Sequence, residues 1–204
     1  MLEVRDLTCM RGDKTLFKGL SFSIDGGQAA FVHGPNGSGK TTLLRTIAGL
    51  ATPERGSILW KGQETRKLEE DYFAQLSYFG HLNGLKEELT GLENLMLSSR
   101  LMGRRVSEPQ VSDALARLGA QDYQDLPTQV LSQGQKKRVA LTRFLLCDAP
   151  LWILDEPFTA LDVQAVATLG EVIAQHVRTG GFALLTTHQA VNLPTERIQN
   201  IHLQ

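Results

Sequence analysis

Two short stretches of this chain carry residue types that could act on a phosphate. The first is GPNGSGKTT, from Gly34 to Thr42. Gly34, Gly37 and Gly39 permit backbone geometries in which successive N–H groups point at phosphate oxygens. Pro35, Asn36 and Ser38 lie between them, with Ser38 close enough to touch a phosphate, and Thr42 closes the run. A strand-like segment precedes this G-x-x-x-x-G-K-[ST] pattern and an apolar-periodic helix follows it, which is the context the pattern requires. The helix starting near Lys40 adds its N-terminal partial positive charge. Lys40 offers a full positive charge to the β- and γ-phosphates, and the Thr41 hydroxyl can ligate Mg²⁺. The second stretch is LWILDEP, ending in Asp155 and Glu156. Four apolar residues running into an aspartate read as a buried strand with a carboxylate at its C-terminal end. Ligands of open α/β sheets bind at that end. Asp155 is then placed to hold Mg²⁺, directly or through water. Glu156 is placed to orient or deprotonate an attacking water.

The elements that must position these groups follow from periodicity. LEVRDLT and GLSFSI alternate as strands, and GQAAFVHG follows as a more continuously apolar one. Gly26-Gly27 and Arg11-Gly12 mark turns. KTTLLRTIAGL places Leu43, Leu44, Ile47 and Leu50 at helical spacing, and GSILWKG reads as a further strand. The middle third reads as helical. Thr90 with Glu93, and Ser107 with Gln110, fit capping boxes. A third helix is expected from near Ser132 through QKKRVALTRFLL. The last third alternates again: strand LWILD, helix VQAVATLGEVIAQHVRTG, strand FALLTT and a closing strand-like RIQNIHLQ. Strands alternating with helices imply a parallel α/β core. The N-terminal strands are expected to form a small side sheet, and the helical middle third an inserted subdomain.

Bulk properties narrow the function classes. The chain has 204 residues, 42% of them apolar, enough for one domain with a substantial core. Lys and Arg (21) nearly balance Asp and Glu (22), for a net charge of −1. No global positive field gathers nucleic acid, so no nucleic-acid partner is expected. Cys9 and Cys147 lie far apart, in no metal-ligand spacing, and read as inert thiols in a reducing compartment. No secretory signal opens the sequence, and no apolar run approaches the ~20 residues that span a bilayer. Any work on a membrane is expected to pass through a partner.

LSQGQKKR, from Leu131 to Arg138, resembles the signature sequence of ATP-binding-cassette ATPases, usually LSGGQ. Ala160–Asp162 (ALD) resembles that family's D-loop, and His188, closing ALLTTH, its switch histidine. With the phosphate loop and acidic pair, these motifs stand in the family's order and spacing over the whole chain. The resemblance implies a single cassette domain, residues 1–204, of the P-loop NTPase class. It would have a mostly parallel RecA-like α/β core, an N-terminal antiparallel side sheet, and a helical subdomain at about 82–147. It implies ATP as substrate with Mg²⁺, and a homodimer whose two copies share two ATP sites. Ser132, Gly134 and Gln135, with Asp162, would serve a neighbour's γ-phosphate rather than their own. Gln133 departs from the usual glycine, but any residue other than proline keeps its backbone N–H. His188 would contact the γ-phosphate and hold Glu156 and the water. Family members usually stack an aromatic side chain on adenine near LTCMRGD. None is present, so Arg11, or less readily Met10, must serve.

One segment departs from the family pattern. After LSYFG, His81 stands where transporter cassettes carry a glutamine beside the nucleotide. GHLNGLKEELTGLENL resembles the corresponding segment of one group, the ATP-binding subunits of the haem exporter of cytochrome c biogenesis. That resemblance implies a peripheral motor on the cytoplasmic face of a bacterial inner membrane. Its partners would be the B-type and C-type membrane subunits of the exporter, and ATP hydrolysis would release a haem-loaded chaperone. The alternatives are the motor of a lipoprotein-releasing or small-solute exporter and, further off, a non-transport cassette ATPase.

Overall fold

The computed structural model describes residues 1–203. Its centre is a five-stranded, all-parallel sheet with strand order β6-β7-β8-β3-β9. These strands are β3 (Gln28–His33), β6 (Leu76–Phe79), β7 (Leu151–Asp155), β8 (Phe182–Thr186) and β9 (Ile198–His202). Every residue of β7 and β8 is buried. A parallel sheet is covered on both faces, so its inner strands read as continuous apolar runs.

One covering layer is the helix α1 (Lys40–Ile47) backed by a second sheet. That sheet has the order β2-β1-β4-β5, from β1 (Leu2–Arg11), β2 (Lys14–Ile24), β4 (Arg55–Trp60) and β5 (Gln63–Glu64). All its pairings are antiparallel. Val4 and Ile24 of the side sheet, Leu43 and Ile47 of α1, and Ile153 and Leu184 of the central sheet share one apolar cluster. On the opposite face lies the helix α7 (Val163–Arg178), whose Leu169 and Ile173 pack with Phe31, Leu154 and Leu185.

The chain departs from the sequence expectation between α1 and the helical segment. Thr65–Leu68 (α2) and Glu70–Phe73 (α3) are short helices, and Leu76–Phe79 is an edge strand of the central sheet. Leu76–Phe79 alternates half-buried and buried residues over only four positions, too few for periodicity to declare a strand. Helices α4 (Gly91–Leu101), α5 (Glu108–Arg117) and α6 (Gln133–Thr142) follow, inserted between β6 and β7. Leu95, Val111, Leu115 and Val139 give them an apolar cluster of their own. α6 stops at Thr142, short of the expected helix, and Arg143–Leu145 tightens into a 3₁₀ turn. Both expected capping boxes form: Thr90 with Glu93 and Ser107 with Gln110. No helix among the described residues is long and apolar enough to cross a membrane.

The C-terminal end of α1 is anchored by Tyr72, which is 1% exposed. Its hydroxyl donates to the Ile47 carbonyl at 2.7 Å, and burial pushes its pKa well up. Tyr72→Phe would leave that carbonyl without this donor. Urea unfolding should show a loss of about 1–2 kcal/mol. An unchanged midpoint would mean that this bond does not hold the helix.

Candidate functional site

The sheet order decides where the chemistry meets. β8 lies between β3 and β7, so the loops leaving these three strands are neighbours at the C-terminal edge of the sheet. The phosphate loop leaves β3, the acidic pair closes β7, and His188 follows β8. The three segments converge in a cleft lined in part by Asn36, Lys40, Thr41, Asp155, Glu156 and His188.

The loop is shaped for an anion. Gly39, at φ 99°, precedes α1, and a Cβ there would sit 3.0 Å from Leu16 Cβ and Phe17 Cδ1. No side chain caps α1 and no acidic residue occupies its first turn, so its leading N–H groups face the cleft. Lys40 is 8% exposed, and among the described residues its Nζ donates only to the carbonyls of Gly34 (2.8 Å) and Pro35 (3.2 Å). Ser38 Oγ is buried without a hydrogen-bond partner among the described residues. A buried ammonium without a carboxylate, an unpaired hydroxyl and an open helix N-terminus together fit a polyphosphate.

The acidic pair is held by a residue that the sequence reading did not single out. Thr186 Oγ1 donates to Asp155 Oδ1 at 2.6 Å and accepts from the Glu156 N–H at 2.9 Å. One hydroxyl thus fixes both acids. A threonine closing the apolar run FALLT is the signal that could have flagged it. Asp155, 4% exposed, accepts from the Thr41 hydroxyl at 2.8 Å through its other oxygen, Oδ2. A hydroxyl and a carboxylate oxygen meeting beside a phosphate loop form a hard-oxygen donor set that fits Mg²⁺. Glu156 Oε2 accepts from the His188 backbone N–H at 3.2 Å. His188 Nε2 lies 3.4 Å from Glu156 Oε1, an atom buried without a hydrogen-bond partner among the described residues.

The other candidate residues divide between this cleft and positions outside it. Arg11 and Thr42 line the cleft, as do Gly37, Gly39 and Leu16, the last not anticipated from sequence. Gly34 and Pro35 contribute through the carbonyls that hold Lys40. Ser132, Gly134 and Gln135 sit at the start of α6, outside the cleft lining. Ser132 and Gln135 form a third capping box. A Cβ at Gly134 would lie 2.7 Å from the Ala160 carbonyl, so the signature turn presses on the loop after the acids. Asp162 caps α7 by accepting from Ala165 N–H at 2.8 Å and pairs with Arg138. His81 is exposed two residues beyond β6 and does not line the cleft.

A family model described as ABC transporter matches residues 17–159. The chain is 48% identical over 203 residues, covering all of both chains, to the cytochrome c biogenesis ATP-binding export protein CcmA of Dechloromonas aromatica (strain RCB). It is 45% identical to the protein of that name in Escherichia coli (strain K12), covering 100% of this chain and 96% of that one. A putative ABC transporter ATP-binding protein from Pyrococcus furiosus superposes with a TM-score of 0.86 at 27% identity, covering 99% of this chain and 96% of that chain. The bacterial ABC transporter cassette MJ0796, solved as a dimer, has the same fold at 24% identity, with a TM-score of 0.85 and coverage of 99% and 94%.

Two substitutions separate the roles in this cleft. Lys40→Ala should abolish ATP hydrolysis, and Glu156→Gln should do so while trapping an ATP-bound dimer. The assay is phosphate release alongside size-exclusion chromatography with ATP. Normal turnover in Glu156→Gln would remove Glu156 from the chemistry.

Proposed function

The chain belongs to the ABC transporter family, and on that footing we propose that it is the ATP-hydrolysing motor of the haem exporter of cytochrome c biogenesis. The observation that carries this reading is full-length identity of 45–48% to cytochrome c biogenesis export proteins.

The cleft supports the following division of work. The loop amides, Ser38 and Lys40 bind the β- and γ-phosphates of ATP, and Arg11 packs on the base. Thr41 and Asp155 would hold Mg²⁺, which neutralises phosphate charge when bound. Glu156 orients the attacking water and accepts its proton on its carboxylate. His188 steadies Glu156 through its backbone N–H and places its ring toward the γ-phosphate. Preorganised donors of this kind act where charge develops, and they need no rearrangement at the moment of reaction.

One chain does not complete the site, because its signature turn lies outside its own cleft. Two copies packed head to tail would bring Ser132, the Gly134 N–H and Gln135 of each onto the γ-phosphate of the other, with Asp162 at the junction. An α-helix N-terminus facing an anion is favourable. Residues 1–204 then act as one cassette whose helical segment, about 82–147, carries the signature turn. His81 and the chain after it form the surface for the membrane subunits, the B-type and C-type partners, at the cytoplasmic face of the inner membrane. The cargo, haem, is handled by those subunits.

Mixing tests the shared site. Ser132→Arg protein, inactive alone, should regain part of its phosphate release when combined with Lys40→Ala protein, because one composite site stays intact. No recovery at any ratio would count against shared sites. The cargo is tested in the purified membrane complex. Its partners should carry haem, and release of the haem-loaded chaperone should require ATP and Glu156. In that complex His81→Ala should impair release more than it weakens ATP binding. Haem-free partners would exclude this cargo.

A further inference from the structure

Lys137 lies on the second turn of α6, the helix that starts at the signature serine. Its Nζ leaves the helix to donate to two backbone carbonyls of the acidic turn, Glu156 O at 2.7 Å and Thr159 O at 3.0 Å. It also stands 5.7 Å from the centroid of the Phe79 ring, at the end of β6. Three segments thus meet at one ammonium: the signature helix, the strand that leads to His81, and the turn that carries Glu156.

That turn needs holding. Glu156 (φ 50°) and Ala160 (φ 62°) are both non-glycine residues in the left-handed region. Such conformations persist only where the surroundings over-determine them. The two carbonyls that Lys137 binds lie within this segment. Lys137 forms no ion pair among the described residues. It is half-buried, and burial lowers its pKa while Glu156 and Asp155 raise it. A cation placed this way is not a solvated surface charge. Two of its three donors are spent on the main chain of the catalytic turn.

We propose that Lys137 is a positioning residue for Glu156, linking the helix that docks on the partner copy's nucleotide to the carboxylate that acts on this copy's own. Holding the Glu156 peptide fixes the direction in which its side chain leaves the backbone, toward His188 and the cleft. A shift of α6 on docking is transmitted to Glu156 through these two hydrogen bonds. The proposal rests on the reading of Glu156 as the hydrolytic carboxylate.

The test measures steady-state ATP hydrolysis and nucleotide binding in the full chain with Lys137→Met, Lys137→Arg and Glu156→Gln. Lys137→Met should lower kcat about 10- to 100-fold, the scale expected for a displaced catalytic group. Its KM for ATP should stay within about twofold, because no phosphate contact is lost. Lys137→Arg, which keeps a charged donor, should recover most of the rate. Should Lys137→Met fail to fold, Lys137→Gln, which keeps an uncharged amide donor group, should fall between the two. The proposal is overturned by an unchanged kcat in Lys137→Met, by a rise in KM at constant kcat, or by a loss that Lys137→Arg does not relieve. Normal turnover in Glu156→Gln would instead overturn the role assigned to Glu156.

Discussion

The pairing of β8 with β3 on one side and β7 on the other is the constraint on which everything else hangs. It is set by uninterrupted apolar strands that must be covered on both faces. Because it brings three strand ends side by side, the glycine-rich loop, the acids and His188 need no contact in sequence. Thr186, the last residue of β8, sits opposite Asp155 in register and bonds to both acids. A slip of one residue in that register would turn the hydroxyl to the other face of the sheet and release both carboxylates together.

Much of this was legible in the chain, for identifiable reasons. Strands such as LWILD and FALLT announce themselves because both faces are buried. The helices after Thr90 and Ser107 announce themselves through reciprocal caps, which are local chemistry. What escaped was non-local or short. β6 has four residues, and its strand character comes from pairing with β7. The double role of Thr186 depends on cross-strand register. Lys137 looks like one charge among several in QKKR, and only the packing of α6 on the acidic turn separates it from Lys136 beside it. His81 marks the opposite limit: its departure from the family pattern is plain in the sequence, while the chain alone gives it no partner in the cleft.

The site is divided between what one chain finishes and what it leaves open. Lys40, Thr41, Asp155 and Glu156 are fixed by hydrogen bonds within the chain. The signature turn is equally well formed, with its own capping box, but it does not line that cleft. Under the proposed head-to-tail pairing, hydrolysis waits on a second copy, which ties ATP consumption to assembly.

The helix starts make a last contrast. The helices beginning at Gly91, Glu108, Gln133 and Val163 each carry a side-chain cap of their own, from Thr90, Ser107, Ser132 and Asp162. The helix at Lys40 has none. On the proposed reading its missing acceptor is the one the substrate brings, so the nucleotide is in effect the N-cap of α1. The first turn of that helix should therefore fray and tighten with nucleotide occupancy, and the exchange rates of its backbone amides become a built-in gauge of how full the motor is.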